Sequence, residues 1–154
     1  MGNRERALRI FTVASLLEAR GANPYRVRAY RRSAFGLLAL PKDASAYLDE
    51  RGELNLPTLG PRLRRKLGEL VRTDNLTFHD ELLAELPTPM RLLMTIPGLG
   101  PKLATRLIEE GGIDGLESLA AAARQGTLRS LRGVGPIRQQ RWGKAAELLL
   151  TRAA

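Results

Sequence analysis

Ile96-Pro97-Gly98-Leu99-Gly100-Pro101 decides how this 154-residue chain is read. Proline fixes φ and lacks an N–H, so Pro101 suits the first position of a helix, where the amide has no partner in any case. Glycine allows a tight turn and close backbone approach. The hexapeptide therefore reads as a sharp turn into a helix, with Leu99 tucked inward as its anchor. Two more copies follow the same plan, Leu56-Pro57-Thr58-Leu59-Gly60-Pro61 and Leu131-Arg132-Gly133-Val134-Gly135-Pro136, and basic residues come soon after each: Arg62, Lys102 and Arg138. A helix N-terminus fronted only by small residues exposes free amides, a geometry that holds phosphate. One such turn alone would be read as a plain helix-to-helix connection. Its recurrence, with a cation each time, points to phosphate contacts at Leu59, Gly60, Gly98, Gly100, Gly133 and Gly135. Thr58 departs from the pattern, because a β-branched residue resists unusual backbone angles.

Outward from these turns the chain reads as helix, with no sustained period-2 alternation. The first helix is expected from Arg4 to Arg20, with Ala7, Ile10, Phe11, Ala14 and Leu17 on one face and Gly21 stopping it. Asn23 and Pro24 open the second, striped by Val27, Tyr30, Ala34, Leu37 and Leu38. Asp43 is expected to cap a short helix ending near Gly52. Further helices are predicted over 61–72, with Leu63, Leu67, Leu70 and Val71 inward, and over 78–85, capped by Thr77. Pro87-Thr88-Pro89 breaks the chain and sets a domain boundary between 1–87 and 88–154. Beyond it, Thr88 is expected to cap a helix to Met94, a second helix spans 102–110, and Asp114 with Glu117 forms a capping box for a helix to Arg124. A short helix over 127–131 and a long one from Pro136 to Thr151 complete an all-α reading of two small helical domains. Each of the three turns is expected between a short helix and a longer one.

Composition narrows the chemistry. The absence of Cys excludes disulfides and thiolate metal sites, and a single His, His79, excludes His-based zinc sites and triads. His79 reads as an exposed residue. No apolar run reaches the roughly 18 residues of a membrane span, and the N-terminus lacks a signal-peptide pattern, so a cytoplasmic, nucleoid-associated protein without membrane contact is expected. The net charge is +9, carried by 21 Arg and 4 Lys. The excess is clumped: no acid lies between Glu18 and Asp43, where Arg20, Arg26, Arg28, Arg31 and Arg32 fall. A second cluster holds Arg62, Arg64, Arg65 and Lys66, and a third, free of acids from Glu117 to Glu147, runs from Arg124 to Lys144. Solvated helix faces would explain one such cluster; three favour a polyanion-binding surface. A nucleotide loop is excluded, since Gly98-Leu99-Gly100-Pro101-Lys102 lacks the Walker spacing and no strand precedes it.

The three turns resemble helix-hairpin-helix motifs, which hold the DNA backbone without reading sequence. Leu17 to Arg32, with Asn23-Pro24-Tyr25-Arg26-Val27-Arg28-Ala29-Tyr30-Arg31-Arg32 at its heart, resembles the opening of a family X DNA polymerase, the DNA polymerase beta family. Leu56 to Leu76 resembles the hairpin of that family's N-terminal lyase domain, and Met94 to Trp142 its following helix-hairpin-helix domain. The resemblance implies non-sequence-specific binding of gapped, damaged or structured DNA in repair, by a monomer. The family continues into a nucleotidyl-transfer domain where this sequence ends, and no paired-Asp motif is present, so polymerisation by this chain alone is not expected. The resemblance puts Lys66 on the lyase lysine, whose amine forms a Schiff base with an abasic sugar, with Glu69 as a proton-moving neighbour and Arg26 and Tyr30 near the pocket. Lys66 as a plain phosphate contact is the alternative, and Arg64 and Arg65 depart from the family's smaller or acidic residues. Tyr30, on its apolar stripe, reads as core rather than catalytic, and Trp142 as packing rather than a base-stacking platform. The resemblance also implies a monovalent cation, K+ or Na+, on the backbone carbonyls of Met94, Ile96 and Leu99; no other cofactor is expected. A module that docks on a separate polymerase or repair protein through its arginines is a further reading.

Overall fold

The computed structural model describes residues 1–153, which are all-α and separate into two units, Met1–Glu85 and a second that begins at Leu86. In the first, α1 (Asn3–Ala19) and α2 (Pro24–Ala39) pack as an antiparallel pair. Gly21, at φ +74°, reverses the chain between them, and the Asn23 side chain accepts the Tyr25 N–H at 2.9 Å to start α2 with Pro24 in its first turn. Ala7, Ile10, Val13, Ala14 and Leu17 of α1 are buried, as are Val27, Tyr30, Ala34 and Leu37 of α2. Each large aliphatic residue removed from water contributes about 1.5–3 kcal/mol. Leu38, expected inward, is 47% exposed: it lies 100° around the helix from Leu37, and only Leu37 faces the core.

The predicted helix from Asp43 to Gly52 is mostly not helical. Asp43 caps only a four-residue 3-10 turn, Ala44–Tyr47, accepting the Ser45 N–H at 3.0 Å. The Asp49 carboxylate then accepts the N–H groups of Arg51 (2.9 Å) and Glu53 (3.0 Å), offering the backbone a turn in place of a helix. This brings Leu48 opposite Leu54 in one isolated antiparallel bridge. The first hairpin is therefore entered from this bridge and not from a helix.

Helix α3 (Pro61–Thr73) lies against that turn through Gly68, where a Cβ would stand 2.2 Å from the Gly52 carbonyl oxygen. Asp74 ends α3 in the left-handed conformation at φ 55°. The buried Arg6 of α1 donates to Asp43 at 2.9 Å and reaches Asp74 at 3.5 Å, so one guanidinium ties α1 to both loops. Helix α4 (Thr77–Ala84) packs on α1. Thr77 is its first residue and not its cap; the Glu69 carboxylate of α3 accepts the Thr77 N–H at 2.8 Å and its hydroxyl. His79 is not exposed as expected. Its side chain is 14% accessible, and burial, with Arg9 nearby, lowers its pKa.

The second unit comprises α5 (Thr88–Leu93), α6 (Pro101–Gly111), α7 (Leu116–Gln125), a 3-10 turn Leu128–Ser130 and α8 (Pro136–Ala153). Its core gathers Leu93, Ile96, Leu99, Leu107, Leu119, Leu128 and Trp142. Helices α7 and α8 approach closely at Gly143, where a Cβ would lie 2.6 Å from that of Ala123. Thr88 is the first residue of α5 and accepts from Arg91, while Pro87 holds the cap position. The expected Asp114–Glu117 box is replaced by Ser118, whose hydroxyl accepts the N–H groups of Asp114 (3.1 Å) and Gly115 (3.2 Å). Gly115 is the cap residue, which shifts the third position from Glu117 to Ser118.

Candidate nucleic-acid interface

All three hairpins close alike. The N–H of the central aliphatic residue donates to the carbonyl three residues back, Leu59 to Leu56, Leu99 to Ile96 and Val134 to Leu131, each at 3.1 Å. The anchors are buried, Leu59 at 6%, Leu99 at 3% and Val134 at 5% exposure. The second glycine of each copy then accepts the first bond of the next helix: Gly60 from Arg64 (3.0 Å), Gly100 from Ala104 (2.9 Å) and Gly135 from Gln139 (3.0 Å). A Cβ at Gly60, Gly100 or Gly135 would meet nothing within 4 Å. These glycines leave open space in front of the unpaired amides of α3, α6 and α8.

The turns differ one residue earlier. Gly98 and Gly133 adopt φ +82° and +91°, as the third residue of a type II turn requires, whereas Thr58 keeps a negative φ. The peptide before Thr58 is thus turned over relative to the other two hairpins. The cations differ too. Arg62 and Lys102 are exposed directly after the hairpin proline, but in the third copy that position is Ile137, 66% exposed. Arg138 follows it and folds back, donating to the Gly133 carbonyl at 2.7 Å with its guanidinium 5.9 Å from the Trp142 ring centre. Arg64 braces the first hairpin similarly, donating to the Leu59 carbonyl at 3.1 Å.

In the first unit the hairpin forms one wall of a cleft of about 1220 Å³. Gly60, Arg62, Arg65 and Lys66 line it on one side and Arg26, Tyr30, Arg32 and Gly36 of α2 on the other, with no acidic residue in the lining. Among the described residues none of these five cations forms an ion pair. Arg31, expected with them, is instead paired with Glu18. Lys66 Nζ stands 4.1 Å from the Phe78 ring centre, and Arg26 lies over the same ring at 5.1 Å. Tyr30 stacks near Phe78 with centroids 6.1 Å apart and is itself buried, which raises its pKa. Lys66 is half-buried; desolvation, then Arg26, lowers its pKa, while Glu81 and Glu69 oppose the shift. Glu69 is held by Thr77.

Sequence reasoning missed Phe78 and Glu81 as neighbours of Lys66, and it had Arg32 only as a member of the first arginine cluster, not as part of this cleft. The small residues Ala29, Ser33 and Gly36, at helical spacing on the face that also carries Arg26 and Arg32, were the signal that α2 shows the cleft a low wall.

The carbonyls that the resemblance assigns to a monovalent cation have the donor chemistry such an ion takes. They are neutral oxygens; Ile96 spends one lone pair on Leu99, and among the described residues the Met94 and Leu99 carbonyls accept no turn hydrogen bond. No described group of His, Asp and Glu has the arrangement of a metal cluster, and no described helix is long and apolar enough to cross a membrane.

Residues 1–76 match the family described as "Helix-hairpin-helix domain", and residues 90–147 match "SAM-like Helix-hairpin-helix tandem". The chain is also similar to the DNA polymerase/3'-5' exonuclease PolX of Bacillus subtilis (strain 168), 29% identical over 124 residues, which is 80% of this chain and 21% of that protein. The aligned region thus spans about a fifth of that relative's length.

Proposed function

We infer that the chain belongs with the helix-hairpin-helix proteins, in the arrangement of the N-terminal region of the family X DNA polymerases, and from that premise that it holds DNA by the sugar-phosphate backbone, in gapped, damaged or structured substrates of repair. The observation that carries this reading is the repeated hairpin: an aliphatic anchor, an open glycine and a helix start whose amides face free space. Such amides, aided by the helix dipole, attract phosphate oxygens whatever the base. The acid-free cations Arg26, Arg32, Arg62, Arg65 and Lys66 supply the field in the first unit, and Lys102 does so at the second hairpin. A K+ or Na+ ion on the carbonyls of Met94, Ile96 and Leu99 would add positive charge beside the second hairpin. The test is fluorescence anisotropy on matched duplexes of scrambled sequence. Equal affinities are expected, and strong preference for one sequence would refute backbone recognition.

One observation favours a second reading, a lyase acting on 5'-deoxyribose-phosphate ends. Lys66 is half-buried in the cleft beside Arg26, which raises the fraction of neutral amine able to attack a sugar aldehyde. Borohydride should then trap the chain on such an end, more readily as pH rises. Lys66→Ala and Lys66→Arg should both abolish trapping, because a guanidinium stays protonated. A Lys66→Arg variant that binds DNA like the wild type, with no adduct formed by either, would reduce Lys66 to a phosphate contact.

A further inference from the structure

The outer face of α2 carries two aromatic rings outside the hydrophobic core. Tyr25 is 75% exposed and Phe35 62%. With Arg28, Arg31 and Arg32 they line a shallow depression of about 370 Å³. Phe35 is not loose: Phe11 of α1 meets it edge-on, with centroids 5.0 Å apart and planes at 79°. That contact fixes the ring's orientation while leaving it accessible. Arg28 lies over the Tyr25 ring at 4.7 Å from its centre. Arg31 is neutralised by Glu18, but Arg32 forms no ion pair among the described residues. Arg32 also lines the large cleft, so cleft and depression meet at one side chain.

Single exposed apolar residues are ordinary on a surface. Two rings and three guanidinium groups sharing one depression next to a cationic cleft are a different matter. Rings accept bases on their faces and guanidinium groups accept phosphates, and neither depends on base identity. No aliphatic residue lines the depression, which disfavours an apolar peptide helix. We propose that this depression is a stacking platform for a single strand leaving the cleft across Arg32, with Phe35 as its principal step. The inference rests on the DNA-binding reading of the cleft and adds the substrate class: a duplex keeps its bases paired and offers no free face. Tyr25 and Phe35 lie ten residues apart on α2, about 15 Å. That exceeds four nucleotide steps at about 3.4 Å, so each ring takes its own base.

The test compares a labelled oligothymidylate with a short blunt duplex, binding each to the full chain by fluorescence anisotropy at fixed salt. Phe35→Ala should weaken oligothymidylate binding about five- to hundredfold and leave duplex binding within about twofold. Phe35→Leu keeps apolar bulk against Phe11 but removes the ring, and should lose affinity like the alanine variant; Phe35→Trp should retain it. Unchanged oligothymidylate binding in Phe35→Ala or Phe35→Leu would overturn the platform, as would an equal loss on the duplex. Phe35-dependent binding of a Glu- and Phe-rich peptide, with oligothymidylate binding indifferent to Phe35, would assign the face to an acidic protein instead. A wild-type chain that binds neither DNA sinks the DNA reading itself. One that binds both without regard to Phe35 sinks only the platform.

Discussion

Replacing Gly100 by valine separates folding from binding at the second hairpin. Gly100 caps α6 with φ −92° and ψ −178°, extended backbone that any residue adopts. A Cβ there meets nothing within 4 Å. The folding cost is confined to exchanging a good N-cap residue for a poor one, about 0.5–1 kcal/mol. The binding cost is larger, because the isopropyl group occupies the space in front of the first amides of α6. Losing one or two charge-assisted hydrogen bonds to a phosphate costs about 1–3 kcal/mol, roughly 5- to 150-fold in Kd. Gly98→Ala gives the opposite signature. At φ +82° an L-residue costs about 1–2 kcal/mol in folding, yet its Cβ also points into open space. Gly98→Ala should therefore lower the melting temperature, and Gly100→Val chiefly the affinity. Gly135→Val should follow Gly100→Val, and Thr58→Val should do little to either quantity. Thermal melts followed by circular dichroism, paired with duplex anisotropy, separate the cases. If Gly100→Val melts like the wild type and binds duplex as tightly, hairpin amides do not hold phosphate.

Three further outcomes follow from the same geometry. If four to six phosphates are neutralised, the logarithm of duplex affinity should fall against the logarithm of salt with a slope of roughly −4 to −5; a flat slope in an anisotropy titration would count against the DNA reading. Gly68→Ala should destabilise the first unit by about 1–3 kcal/mol, because its Cβ would stand 2.2 Å from the Gly52 carbonyl oxygen, and a wild-type urea midpoint would show that α3 does not rest on that turn. Asp43 has its pKa lowered from 3.8 to about 2 by the Ser45 hydroxyl and N–H and then by Arg6. A depressed carboxylate adds stability that is present above its unfolded pKa and lost as pH falls through the folded one. Melting temperature should thus drop between about pH 4 and 2, and Asp43→Asn should flatten that part of the curve; an unchanged acid limb would place the contribution elsewhere.

The all-α class was legible because the hairpins punctuate the chain with Gly-Pro, and the core stripes recur at helical spacing, as Leu67, Leu70 and Val71 do on α3. What was not legible depends either on a choice between local hydrogen-bonding alternatives or on groups brought in from another helix. Asp49 turns 48–54 out of the expected helix by holding two amides at once, a choice that local propensity leaves open. Glu69 was read as a neighbour of Lys66 three residues away, but it is held across the helix gap by Thr77. Phe78 and Glu81 come to Lys66 from α4, and spacing within α3 carries no information about them. Ser118 takes the role expected of Glu117 because the helix begins one residue later, and capping depends on that register.

The three hairpins share one turn closure and yet carry three different chemistries, and this sets an order among them. The second has everything phosphate binding requires: a left-handed glycine, open space at Gly100 and an exposed Lys102. The first lacks the left-handed residue but opens onto the cationic cleft, so charge there compensates for a turned peptide. The third keeps the backbone of the second but exposes Ile137 where a cation would be, and spends Arg138 on its own Gly133 carbonyl. A guanidinium so placed offsets the negative end of that carbonyl and stiffens the turn, but its contact with phosphate is weakened by the bond it already makes. Lys102→Ala should therefore cost more duplex affinity than Arg138→Ala, whereas Arg138→Ala should cost more stability, since it frees both the Gly133 carbonyl and the face of Trp142. Anisotropy and thermal melts on the two variants decide it. Equal affinity losses with unchanged melting would mean that Arg138 leaves Gly133 to reach the DNA, and that the third hairpin binds as the second does.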